Sequence, residues 1–321
     1  MYSLYSGILL KIKEKIKELG LVNLITTPEE MIKEKKRFYR TAANKSGKKV
    51  FFKTLLAKEK GIKNRFLNEI NFSKTLKENK KYPLFNFVSE ILEFSDNPSF
   101  PYFLKEFSAG NARVKEDKFS LKEIKKIVKI LKIINSTPFN VFIFHPKNHL
   151  FRFSFYKNQS DIFLKNLNLN KKIKDRIKQF IKNNKWIFYN PKIKTGLTHG
   201  DFSEANLLFS KKEIKVIDWE HVHLRNPLYD LADFWLKRRK NSQEQKVLLK
   251  EYFKEFKEKR YFFKLFKLAL LEIVFRDLNL FQKVGGGMKK EEDDYLFLIE
   301  NYILKPREEI FSFKEIRRKE N

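Results

Sequence analysis

The sequence contains no cysteine. That excludes a disulfide framework, thiolate metal sites, iron–sulfur clusters and a cysteine nucleophile. Long apolar runs are missing as well. The best span, Leu268 to Phe275, contains Glu272 and falls far short of the roughly 20 apolar residues that a bilayer requires. At the N-terminus Ile8, Leu9 and Leu10 form a short apolar patch with no basic region before it, and the charged segment Lys11 to Lys17 follows at once. No signal peptide is expected, and a soluble cytoplasmic protein follows from these absences. There is no internal repeat. Acidic side chains are also in short supply: Asp+Glu is 39 against 69 Lys+Arg, a formal charge of +30. Such an imbalance raises nucleic acid, an acidic membrane surface or an anionic substrate as partners. Abundant Lys, Asn, Ile and Phe are equally what an AT-rich coding sequence produces whatever the function, and that bland reading ranks first at this point.

What is present suffices for one large core or two ordinary ones, since 42% of the residues are apolar and 34% charged. Ile12, Ile16 and Leu19 have helical spacing, and residues 21–25 could form a short strand. Two β-prone runs, residues 37–42 and 49–55, flank the Asn44 to Gly47 turn as a β-hairpin does. A helix over 62–78 carries Glu69, and residues 88–94 and 101–107 read as two more strands. Ser120 with Glu123 has the spacing of a capping box, opening a helix that stops at Pro138. Residues 139–160 are aromatic-rich and give no assignment. Helical periodicity returns in 161–184, 241–282 and 291–304, with a strand-rich block over 197–222. The pattern predicts an α+β architecture, with a small sheet-rich N-terminal lobe (1–107) and a larger helical lobe (108–321).

Chemistry-bearing residues are densest between positions 197 and 235. Asp201 and Asn206 share one tight loop after a strand, and Asp218 ends the next hairpin. Carboxylate and amide oxygens are ligands that hard divalent cations prefer. Phosphoryl transfer needs a carboxylate to accept the proton of the attacking hydroxyl, oxygen ligands for Mg²⁺, and a further cation on the phosphates. Asp201, Asn206 and Asp218 can supply the first two, and Lys53 the third. His221 and His223 form a His-x-His pair without an evident third ligand and read as polar loop residues. Gly285 to Gly287 lacks the Lys and Ser or Thr of a phosphate loop and reads as a connection.

His199-Gly200-Asp201 with Asn206, Ile217-Asp218-Trp219-Glu220, and Pro227 with Tyr229-Asp230-Leu231-Ala232 together resemble the aminoglycoside phosphotransferase and choline kinase family, small-molecule kinases with a two-lobed protein-kinase-like fold. Nearly the whole chain takes part. Val50-Phe51-Phe52-Lys53 is similar to the strand bearing the phosphate-binding lysine, Glu69 matches its carboxylate partner, and Leu104 to Phe107 resembles the hinge strand that meets adenine. The resemblance implies Asp201 as catalytic base, Asn206 and Asp218 as metal ligands, and Lys53, Glu69, Glu106 and Phe107 as nucleotide-binding residues. Asp230 would anchor the catalytic loop, His199 would brace it, and Glu220 is a candidate to face the substrate. ATP, with GTP as the alternative, and Mg²⁺ are the implied cofactors; a nucleotide and a small hydroxylated molecule are the implied partners.

Two departures stand out. Residues 27–37 contain no glycine to cover the phosphates, leaving that role to backbone amides of the segment or in part to Lys33, Lys35 and Lys36, and Asn135 stands where the family usually has His. The acceptor class is a sugar, an amino-alcohol or an antibiotic-like hydroxyl compound, chosen by residues 139–190 and 236–321. In so basic a chain a neutral or anionic acceptor ranks above a polycationic drug, for which only Glu204, Glu220 and Asp233 offer charge. A kinase-like scaffold that has lost catalysis and binds nucleic acid or an anionic surface is the competing reading. The complete Lys, Asp and Asn set argues against it, and the absence of His-Arg-Asp and Asp-Phe-Gly argues against a protein kinase.

Overall fold

The computed structural model describes residues 2–22, 37–56, 59–97, 99–113, 117–138, 142, 151–167, 169–211, 213–284 and 289–305. The chain forms two units, Met1–Arg113 with Asn140–Asn148 and Asn206–Val222, and Val114–Phe139 with His149–Ala205 and His223–Asn321. The glycine-free segment 27–37 with Lys33, Lys35 and Lys36, the connection 285–287, and residues 23–25 lie outside the described residues, apart from the strand residue Arg37.

In the first unit, helix α1 (Tyr2–Glu18) precedes the hairpin β1 (Arg37–Ala43) and β2 (Lys49–Leu55), helix α2 (Lys60–Glu78), and strands β3 (Ile91–Ser95) and β4 (Tyr102–Glu106). The strands pair antiparallel in the order β1-β2-β4-β3. Asn44 closes the hairpin turn: its Oδ1 accepts from the N–H groups of Ser46 and Lys48. Strand side chains alternate between faces, and the two faces of this sheet have different jobs. Val50, Phe52 and Leu104 pack with Ile12, Leu21 and Ala42 in one core cluster. Leu55 and Phe103 pack with Ile62, Phe66 and Ile70 of α2 in another. Lys53 and Lys105 alternate in phase with this second set, so both point to α2. Of the expected strand at 21–25, Val22 is described, bridged to Ala43.

Residues 206–222, which the division at residue 107 assigns to the helical lobe, pack with the first unit. Strands β7 (Leu207–Phe209) and β8 (Ile214–Val216) form a three-stranded sheet with β5 (Asn111–Ala112). The following turn, Trp219–His221, rests on α2: Trp219 is fully buried and stacks on Phe72 with ring centroids 4.3 Å apart. Its indole N–H donates to the Val216 carbonyl at 2.9 Å.

The second unit is mostly helical. Helix α3 (Leu121–Ser136) starts at the expected capping box, with Ser120 Oγ accepting from the Glu123 N–H and the Glu123 carboxylate accepting from the Ser120 N–H. The helical stretch expected over 161–184 is two helices, α4 (Phe153–Asn166) and α5 (Lys171–Asn183). The break falls where Asn170 caps α5 by accepting from the Ile173 N–H. Part of the unassigned region 139–160 thus belongs to α4, which buries Tyr156, Ser160, Phe163 and Leu164 at helical spacing. A two-stranded ladder of β6 (Gly196–Thr198) and β9 (His223–Arg225) follows, then α6 (Tyr229–Lys237). The stretch 241–282 likewise divides into α7 (Ser242–Glu255) and α8 (Lys259–Val284), and α9 (Lys289–Leu298) runs on into a π-helical turn, Ile299–Ile303. No described helix is long and apolar enough to cross a membrane.

Truncating Trp219 to alanine removes a fully buried indole and its stacking partner, a loss of about 3–5 kcal/mol. Urea denaturation should register that loss for Trp219→Ala and a smaller one for Trp219→Phe, which keeps the contact with Phe72.

Candidate active site

The centre of the first unit's site is a buried ion cluster. Lys53 is 6% exposed, and its Nζ donates at 2.8 Å both to Glu69 Oε2 and to Asp218 Oδ1. Lys105, equally buried, donates to the other Glu69 oxygen at 2.9 Å. The helix explains the meeting: Ile62, Phe66, Glu69 and Ile70 share one face of α2, so Glu69 comes to the sheet with the apolar side chains that anchor the helix. Burial alone would push the Lys53 ammonium down, yet Glu69 and Asp218 beside it raise it above the ordinary lysine value. Burial would likewise raise Glu69, and Lys105 and Lys53 instead hold its carboxyl down to about 2. For Lys105 burial wins and the ammonium is lowered, with Glu69 offsetting part of the effect.

A cleft of about 480 Å³ opens over this cluster, lined by Lys53, Glu69, Lys105, Glu106, Asn206 and Asp218 among others. Glu106 is the last paired residue of β4, opposite Val50, and its N–H donates to the Glu90 carbonyl at 2.9 Å. Phe107, also at the cleft wall, follows it beyond the ladder. Asp218 has left-handed backbone, φ 62° and ψ 59°, a conformation that Asp tolerates better than most residues. It turns the chain from β8 into the Trp219–His221 turn. Asn206 is tied to the same hairpin, its carbonyl accepting from the Ile217 N–H at 3.0 Å.

Carboxylate oxygens of Glu69, Asp218 and Glu220 lie within 4.8 Å of one another. With the Asn206 amide in the same cleft, this all-oxygen set suits Mg²⁺. Glu69 already carries two lysines, so Asp218, Glu220 and Asn206 are the better fit to an ion. Glu220, expected as a candidate to face the substrate, is 4% exposed with Oε2 3.7 Å from Lys53 Nζ. His221 sits 3.5 Å from Arg65 Nη1 and 3.4 Å from Glu220.

Asp201 belongs to the second unit. The loop after β6 is held by Asp230, in the first turn of α6, whose carboxylate accepts from the His199 N–H at 2.7 Å and the Gly200 N–H at 2.9 Å. Gly200 has φ 83°, a left-handed value that favours glycine. His199 is fully buried, and its Nδ1 accepts from the Asp201 N–H at 3.3 Å. Asn135, in the usual His position, donates to the Leu197 carbonyl on β6 and accepts from the Tyr252 hydroxyl. The Asp201 side chain is 43% exposed, and its Oδ1 accepts from Lys237 Nζ at 2.8 Å. Asp233 is buried between Lys237 and Arg276. His223 is buried in β9, its Nδ1 accepting from the Leu224 N–H.

Lys105 and Lys237 are the residues that motif reading missed. A detectable signal existed for Lys105, because a lysine at an inward phase of a strand with neighbours on both sides is rarely tolerated unpaired. Lys237 offered the i, i+4 spacing to Asp233.

Glu69 has a folded-state pKa below its ordinary value of 4.5, so its ionised form contributes stability above that value, and the contribution is lost as pH falls through about 2. Glu69→Gln should cost about 3–5 kcal/mol near neutral pH by taking from the buried Lys105 its carboxylate partner and leaving Lys53 to Asp218 and Glu220. Urea midpoints of both proteins at pH 7 and pH 3 should show the gap narrowing at the lower pH.

Residues 124–262 match the phosphotransferase enzyme family. Curated protein sequences yield no match. Among solved structures, the choline kinase LicA from Streptococcus pneumoniae is 15% identical with a TM-score of 0.61, covering 92% of this chain and 100% of that one. A choline/ethanolamine kinase family protein from Mesorhizobium loti is 12% identical, TM-score 0.58, over 92% and 95%. A spectinomycin phosphotransferase solved with ADP and spectinomycin is 13% identical, TM-score 0.56, over 97% and 98%. The chain thus has the α+β, protein-kinase-like fold found in choline kinases and aminoglycoside phosphotransferases, and its segment 124–262 is similar to the phosphotransferase enzyme family.

Proposed function

We propose that the protein is an ATP- and Mg²⁺-dependent phosphotransferase that moves the γ-phosphate to a hydroxyl of a small molecule. The observation that carries this reading is Lys53 held at 2.8 Å from both Glu69 and Asp218 at the wall of the cleft. A fixed ammonium beside oxygen ligands is what a polyphosphate requires. Lys53 would contact the α and β phosphates, with Glu69 fixing its direction. Backbone groups at Glu106 and Phe107 would meet the base, against apolar walls such as Phe51, Leu208 and Val216. The spectinomycin phosphotransferase solved with ADP supports an adenine nucleotide. Asp218 and Asn206, with Glu220 as an added carboxylate, would hold the Mg²⁺, which when bound neutralises phosphate charge. Asp201 is the base: it takes the acceptor's hydroxyl proton as the new O–P bond forms and the bond to the bridging oxygen breaks, releasing nucleoside diphosphate.

The acceptor is a neutral or anionic alcohol, such as a sugar or a lipid-linked alcohol. Of the carboxylates that might have held a polycation, Asp233 is spanned by Lys237 and Arg276, and Glu220 lies near Lys53. Both are already compensated, and Glu204, the third, is buried, which leaves little accessible negative charge for a polyamine.

A coupled assay of ADP release over a panel of hydroxylated metabolites and antibiotics tests the reading, with turnover expected on uncharged or anionic alcohols and lost in EDTA. Asp201→Asn should lower kcat by about 10²–10⁴-fold while retaining nucleotide binding. Asp218→Asn should abolish the Mg²⁺ dependence of nucleotide affinity measured by calorimetry. An Asp201→Asn enzyme with unchanged kcat would refute the assignment of the base.

A further inference from the structure

Helix α6 holds the Asp201 loop at two places. Its first turn offers Asp230 to the backbone N–H groups of His199 and Gly200. Two turns on, about 10 Å along the axis, its last residue, Lys237, donates to the Asp201 carboxylate at 2.8 Å. The same ammonium donates at 2.7 Å to Asp233, one turn back on the helix. Asp233 is 1% exposed and takes a second cation, Arg276 of α8, at 2.9 Å. The result is a line of alternating charge: Asp201, Lys237, Asp233, Arg276. Arg276 is fixed in turn by the Tyr229 hydroxyl and by Asp277.

We propose that Lys237 is the positioning residue of the catalytic base, fixing the Asp201 carboxylate in direction and keeping it ionised until a hydroxyl proton is transferred to it. The proposal rests on the reading of Asp201 as the base.

Physical need for such a cation is plain from the neighbourhood. Asp201 shares its surroundings with two buried carboxylates, Asp230 and Asp233. Burial raises Asp230, although its hydrogen bonds from the loop offset part of that. Lys237 is an ammonium in direct contact with Asp201 at 2.8 Å, and an opposite charge that close favours the ionised carboxylate. Burial would lower Lys237 itself, but Asp233 and Asp201 raise it, so it stays charged throughout the range in which enzymes work. A bound carboxylate also loses rotational freedom, and one fixed in direction presents the same oxygen to each incoming hydroxyl. Groups near the pair include His199 from the loop and Asp230, Asp233 and Arg276 from the helices.

The test compares Lys237→Met and Lys237→Arg with the wild-type full-length protein. Arg276 still balances Asp233 in Lys237→Met, and Lys237→Arg keeps the charge should that variant fold poorly. Carbon-13 NMR of the aspartate carboxyls, with the Asp201 signal identified through Asp201→Asn, reads the contact without any turnover. In Lys237→Met the Asp201 carboxyl should titrate about one pH unit higher, at the lower end of the range because the group is half exposed. The acid limb of kcat/KM should move by the same amount, kcat should fall, and nucleotide Kd should stay unchanged. Lys237→Arg should restore the limb. An Asp201 titration identical in wild type and Lys237→Met overturns the proposal, whatever happens to turnover. An inactive wild-type protein would count against the phosphotransferase reading, while the carboxyl titration would still decide the role of Lys237.

Discussion

Two buried ammoniums on one buried carboxylate set the terms for the whole first unit. Taking a charge out of water costs several kcal/mol, and the cost is recovered only with close, well-directed partners. Lys53 and Lys105 can therefore occupy the inner face of the sheet only if Glu69 arrives between them, and Glu69 arrives only if α2 lies across that face. The apolar contacts of Ile62, Phe66 and Ile70 with Leu55 and Phe103 fix the height of the helix, and the ion cluster fixes its rotation. Asp218 completes the charge balance from a different part of the chain.

The second unit answers a different requirement, that of holding a half-exposed carboxylate on a loop. A loop has no ladder to fix it, so backbone and side chain need separate anchors. The helix after the loop supplies both, through Asp230 and Lys237, and the long helix α8 stiffens that helix through Arg276. Order is imposed on a mobile kind of element by a rigid kind, a common division of labour in catalytic sites.

Much of this was legible in the residues. Strand alternation around Lys53, the capping box at Ser120 and the hairpin turn at Asn44 all express local rules that tertiary packing left in force. Glu69 was legible through its place on a helix after the lysine strand. The breaks within 161–184 and 241–282 were not, because neither contains Gly or Pro; in the first, Asn170, a cap in the structure, was the punctuation, and the second falls at residues 256–258 between charged and aromatic side chains. Helix α4 was hidden by its aromatic content, which suits strands as well as buried helix faces. Lys105 and Lys237 escaped because a lysine in a chain with 69 basic residues carries almost no information until its partner is known: Glu69 lies 36 residues from Lys105, and Asp233, one turn from Lys237, does not reveal the second partner, Asp201, on the loop.

The stack of Trp219 on Phe72 has a consequence for how the nucleotide site can change. Phe72 is on the helix that bears Glu69, and Trp219 is next to Asp218. The two anions that grip Lys53 are thus mounted on a single aromatic joint. Sliding α2 would displace both together, and Lys53 would lose its two nearest counter-charges in one event instead of by degrees. Assembly and dismantling of this site should then be cooperative, with a threshold in place of a gradient.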